Sequence, residues 1–127
     1  MGEKRNFKEL KKILNEGEQI ERTIVAWYDH HQGVLAITDK RLLFVGKGLL
    51  SGLTVKDLPL GKIINVDYQI KSMESFFTIH GSGHKIEFDG VIGSKDKVKD
   101  FVEHLNSKIN KHGHAKTKND DFISKLE

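Results

Sequence analysis

The sequence predicts an α+β domain that is mainly β: seven antiparallel strands curled as two sheets, closed by a C-terminal helix and preceded by a short N-terminal one. Three observations carry this. From Gln19 to Asp89 the chain is a series of short runs rich in β-branched and aromatic residues, separated by turns containing Gly and Asp. After Ser94 the pattern changes to a single helical stripe, in which Val98, Phe101, Val102, Leu105 and Ile109 fall at offsets 0, 3, 4, 7 and 11. Before Gly17, the residues Phe7, Leu10 and Leu14 recur at helical spacing among lysines.

Taken in order, the spacing predicts a helix over 7–15, stopped by Gly17. Ile20, Arg22, Ile24, Ala26 and Tyr28 alternate with Glu21, Thr23, Val25 and Trp27 along a first strand. Asp29 to Gly33 reads as a hairpin loop into a strand Val34–Thr38, and Thr38-Asp39-Lys40 turns the chain into Arg41–Val45. The glycine-bearing loop Gly46 to Gly52 precedes an extended segment Leu53–Leu58, which Pro59, the only proline, should end. In the next segment Ile64, Val66, Tyr68 and Ile70 are expected to point one way and Asn65, Asp67 and Gln69 the other. Phe76–His80 and His84–Asp89 form a hairpin around Gly81-Ser82-Gly83. Ser94 suits the N-cap of the final helix, and Asp96 suits its dipole. That helix needs an apolar surface to cover, which the opening between two curled sheets supplies. Residues 1–17 are thus a helical lead, 18–110 the domain, and 111–127 a polar linker ending in a short amphipathic start.

Composition excludes several classes. A chain of 127 residues with 37% hydrophobic content supports one modest core. Lys plus Arg total 21 against 18 Asp plus Glu, a net charge of +3 that falls well short of a dedicated nucleic-acid binder. With no cysteine, disulfides and thiolate zinc sites are impossible. Apolar runs such as Val34 to Ile37 are far short of the roughly 20 residues of a membrane span. No apolar segment follows the charged N-terminus, so the expected localisation is cytoplasmic, with peripheral membrane contact as the variant.

Seven strands followed by one amphipathic helix resemble the layout of a pleckstrin-homology (PH) barrel. Leu14-Asn15-Glu16-Gly17-Glu18-Gln19-Ile20 is similar to the opening of bacterial PH domains of the YokE-like type. The run from Gly33 to Phe44, with Thr38-Asp39-Lys40-Arg41-Leu42-Leu43 at its centre, resembles their second hairpin. Leu58-Pro59-Leu60-Gly61-Lys62-Ile63-Ile64-Asn65-Val66 resembles a third stretch, and the likeness covers residues 14–110. Asp120 to Glu127 is similar to the first residues of the C-terminal helical module called SHOCT, which implies that the chain is the PH part of a longer protein. The resemblance implies a binding module with homo-oligomerisation as one mode.

No catalytic, metal or cofactor site is expected. Ser82 lies between glycines beside His80 and His84, but a hairpin turn accounts for it and no orienting carboxylate is nearby in sequence. His30-His31 and His112-Gly113-His114 lack further ligands at a recognised metal spacing. Thr38, Asp39 and Arg41 are read as turn-forming residues, with Arg41 bracing the turn through Asp39 and Leu42 or Phe44 facing the core.

Phosphoinositide-binding PH domains carry basic residues on the first hairpin. The corresponding residues 26–36 contain no Lys or Arg, so specific phosphoinositide recognition is not implied here. The leading expectation is a non-catalytic module that binds a protein partner, or itself, through an edge strand or loops such as the tip Leu49-Leu50. The alternative is an anionic membrane surface met by Lys4, Arg5, Lys8, Lys11 and Lys12 with Lys108, Lys111, Lys116 and Lys118. Nucleic-acid binding through these lysines lacks a basic-aromatic sheet face, and no small-molecule substrate is expected.

Overall fold

The computed structural model of the chain describes residues 2–47, 52–71 and 75–112, with residues 2–4 as backbone only. Helix α1 (Gly2–Ile13) leads into strands β1 (Ile20–Tyr28), β2 (His31–Thr38), β3 (Arg41–Lys47) and β4 (Leu53–Pro59). One 3-10 turn, Leu60–Lys62, joins β4 to β5 (Ile63–Ile70), followed by β6 (Ser75–Gly81), β7 (His84–Ile92) and helix α2 (Lys95–Lys111). The seven strands are antiparallel, in the order β4-β3-β2-β1-β7-β6-β5. The two expected sheets are therefore hydrogen-bonded into one, because β1 pairs with β2 on one side and with β7 on the other.

Side chains from the inner face of this curled sheet meet α2. Ile24, Ala26, Leu35, Ile37, Leu42 and Phe44 share a core with Phe77, Ile79 and Phe88, and all five stripe residues of α2 are buried in it. Phe101 of α2 stacks on Phe77 with centroids 5.9 Å apart. Ser94 caps the helix as expected, its Oγ accepting from the Lys97 N–H at 3.1 Å.

Strands β2 and β3 are buried on both faces. Val34, Ala36, Leu43 and Val45 point away from the main core and form a second cluster under Leu10 of α1. This is why their sequences read as unbroken apolar runs rather than as an alternation. Asn6 keys α1 in place: its Nδ2 donates to the Gln32 carbonyl at 3.3 Å and its Oδ1 accepts from the Lys47 N–H at 2.8 Å. The helix ends at Ile13, two residues before its expected end. The Asn15 N–H donates to Glu18 Oε1, and the Glu18 N–H closes a turn on the Asn15 carbonyl, with Gly17 at φ +82° between them.

Two local expectations are corrected. The first hairpin loop is only Asp29-His30, both at positive φ (50° and 66°), so the strand begins at His31 and not at Val34. That geometry is the tight primed turn that matches strand twist. In β5 a register shift between Ile63 and Asn65 places Ile63 and Val66 inward and leaves Ile64 51% exposed. Tyr68 lies opposite the buried Phe77 yet remains largely exposed.

Candidate functional site

The Thr38-Asp39-Arg41 turn is tied into a network whose central member is Glu18. Arg41 Nε and Nη2 donate to the two Glu18 oxygens at 2.9 Å each, and Nη1 donates to Asp57 Oδ2 at 2.8 Å. Nη2 also reaches the Ile13 carbonyl at 3.0 Å. Thr38 Oγ1 donates to Glu18 Oε2 at 2.6 Å and accepts from the Lys40 and Arg41 N–H groups. Arg41 thus pairs with Glu18 and Asp57, not with Asp39. Asp39 instead accepts from the Gln19 N–H at 2.8 Å, a bond that lowers its pKa. Arg41's hydrogen bonds outweigh burial and, with those of Thr38 and the Asn15 N–H, hold the Glu18 carboxyl at about 2. Glu18 lies within the opening motif, but its pairing with Arg41 has no local signal in the sequence, because 23 positions separate the two.

A second ionic group fastens α2 to β1. Glu21 accepts from His104 Nε2 at 2.7 Å and from Lys108 Nζ at 3.1 Å. Burial works against its charge, but these hydrogen bonds prevail and its carboxyl sits below the ordinary value. Lys108, one of the expected membrane contacts, is committed to this cluster.

At the C-terminal end of β1, Tyr28 packs against Phe44 and Phe88 with centroids 5.8 and 5.7 Å apart. Here β1 and β7 part, leaving a cleft of about 500 Å³ lined by Tyr28, Asp29, His30, Lys85, Ile86, Glu87 and Asp89. A PH domain that holds a phosphorylated headgroup places cations near this hairpin. In this chain three carboxylates face one ammonium, and Lys85 Nζ is itself 3.4 Å from Glu87. An anion gains nothing from such a rim.

The cleft continues onto the outer face of the sheet as a groove of about 250 Å³ lined by Trp27, His30, Phe76, Asp89 and Gly90. A bulge shapes it: between the pairs Val25–Ile92 and Trp27–Asp89, β7 carries one residue more than β1. Gly90 sits in the bulge at φ +58°, and a Cβ there would meet Trp27 Cδ1 at 2.7 Å. The indole therefore lies against bare backbone. This groove has no signature in the sequence, since Trp27, Phe76 and Asp89 come from three strands.

The remaining expected contacts are scattered. Arg5, Lys8 and Lys11 line a shallow apolar cleft on α1 with Phe7. Lys12 pairs with Glu9 at 3.5 Å, and Lys111 lies in the last turn of α2. The Leu49-Leu50 tip, the side chain of Lys4, and residues 113–127, with His114, Lys116, Lys118 and the SHOCT-like segment, lie outside the described residues. His80 Nε2 meets Asp67 Oδ2 at 2.8 Å, so a carboxylate from β5 stands beside it after all. No serine hydroxyl is bonded to His80 among the described residues, and the Ser82 carbonyl is bonded by His84.

The family follows from comparison of the whole chain. A family model described as "Bacterial PH domain" matches residues 14–107. The chain belongs to the bacterial PH domain family. A crystal structure of a PH domain from Shewanella amazonensis SB2B superposes with a TM-score of 0.57 at 16% identity, covering 80% of this chain and 83% of that one. A protein of the DUF1696 family with a PH domain, from Shewanella loihica PV-4, gives the same TM-score and identity over 86% of this chain and 98% of its own. These likenesses establish the bacterial PH fold. Among curated proteins none matches. Among the described residues, no helix is long and apolar enough to cross a membrane.

Proposed function

We propose that this bacterial PH domain is a non-catalytic interaction module that adds an extended segment of a protein partner, or of a second copy, to the edge of β4. The observation that carries this is the state of that edge. β4 closes one end of the sheet and, among the described residues, pairs with β3 alone. Its outward residues Leu53 and Val55 are 45% and 40% exposed. Edge strands are ordinarily guarded by charge. Here Lys56 folds over the Tyr28 ring, 5.1 Å from its centroid, and Asp57 is held by Arg41. With both charged side chains engaged in contacts of their own, this edge is the place we assign to strand addition. The opposite edge, β5, is braced by α2.

Light scattering on the full chain, with a double L53K/V55K variant, tests the self-association form. Oligomers at high-micromolar concentration that the variant abolishes support it. For a partner, co-purification lost in the same variant supports it, and binding unchanged by the variant overturns the edge reading.

A second reading has its own observation. The exposed ring of Phe7, 38% accessible, lies among Arg5, Lys8 and Lys11 on the outward side of α1. An aromatic ringed by cations suits an anionic membrane interface, where each basic residue contributes about 1 kcal/mol. Sedimentation with anionic vesicles at low salt tests this, and no binding removes it. The YokE-like branch and a following SHOCT module are part of the proposal, supported by the opening motif, the hairpin motif and residues 120–127.

A further inference from the structure

We infer that the outer groove between Trp27 and Phe76 receives a guanidinium or ammonium side chain from a basic peptide segment, with Asp89 as its counter-ion. The site is distinct from the β4 edge: it spans β1, β7 and β6, and it stands or falls independently of strand addition.

Three features favour a cation over other occupants. The walls are aromatic, and the faces of Trp and Phe attract positive charge, Trp most strongly. Trp27 is 37% exposed, so its ring is accessible from solvent. Among the described residues Asp89 is the one carboxylate lining the groove, no lysine or arginine lines it, and the Asp89 side chain has no ion pair or hydrogen bond. The adjoining cleft extends the negative potential with Asp29 and Glu87 against Lys85. Phe76 already attracts one cation of the chain itself, Lys71 Nζ at 5.5 Å from its centroid, although Lys71 does not line the groove.

Size separates a side chain from a free ligand. At about 250 Å³ the groove lies below the roughly 300–1,000 Å³ of small-molecule pockets. It suits one long side chain inserted from a peptide that passes over the sheet. The bulge at Gly90 makes the room, since any Cβ at that position would push the indole out of place.

The chain has a single tryptophan, so its fluorescence reports directly on the groove. The full chain is titrated with the peptide acetyl-Gly-Arg-Arg-Arg-Gly-amide and with the matched triglutamate peptide. The expected result is a saturable change in Trp27 emission with the arginine peptide alone. In D89N, affinity should fall about tenfold, the scale of one charge-assisted hydrogen bond. An F76L variant should weaken binding as well. The Trp27 indole N–H resonance gives a second readout in each case. No saturable change, an equal response to both peptides, or a D89N protein that is folded by circular dichroism and binds as tightly as the parent would each overturn the inference.

Discussion

Arg41 grips Glu18 with two parallel hydrogen bonds, Nε to Oε2 and Nη2 to Oε1, each 2.9 Å long. The fork joins the turn that follows α1 to the turn between β2 and β3, and the Glu18 side chain is fully buried beneath it. A buried carboxylate tolerates this position only while the guanidinium stays, because its water has been removed. Replacing Arg41 with Ala should cost about 3–5 kcal/mol in urea unfolding. Arg41→Lys, which keeps charge but loses the planar fork, should cost about 2 kcal/mol.

The same pair makes stability depend on acid. Glu18's folded-state value of about 2 lies below the ordinary 4.5, so its contribution is complete above pH 4.5 and is lost as pH falls toward 2. The contribution is on the order of 3 kcal/mol. Denaturant midpoints measured between pH 6 and pH 2.5 should fall more steeply for the parent than for Glu18→Gln. Parallel curves would count against a depressed carboxyl.

Gly90→Ala tests the bulge. The substitution places a Cβ 2.7 Å from Trp27 Cδ1 at a backbone with φ +58°. The backbone conformation alone costs about 1–2 kcal/mol. Trp27 emission should also shift as the ring is displaced, which a purely backbone effect would not produce.

Leu10→Ala separates the two apolar clusters. Leu10 is buried on the outer face of β2 and β3, apart from the main core. The cost should be about 2–5 kcal/mol. Amide exchange should accelerate first in α1, while α2 keeps its protection.

Phe101→Ala acts on the other side of the sheet. Its ring stacks on Phe77 in the main core. Thermal unfolding should show a loss of about 3–5 kcal/mol, with protection lost in α2 before α1.

Much of this fold was legible in the residues. The α2 stripe and its Ser94 cap are local signals written in adjacent positions, and both appear as expected. The runs Val34–Ile37 and Leu42–Val45 are strands as expected, but they carry no alternation to say which face is inward, since a strand covered on both faces loses its period. The β5 alternation failed at Ile64 because one register shift turns a side chain to the other face. Arg41's partner differs from the expected one for a related reason: Asp39 is near in sequence, but Glu18 is brought near by pairing of β1 with β2.

By itself the sequence determined the order of seven strands and two helices, the turn chemistry of Thr38, and a first hairpin without Lys or Arg. Each follows from periodicity or residue type over a few neighbouring positions. Only the tertiary structure decided that β1 links all seven strands into one sheet, that β4 is an end strand of it, and that Trp27, Phe76 and Asp89 line one groove. Those facts depend on which strands lie side by side and in what register, and no stretch of adjacent residues carries that information.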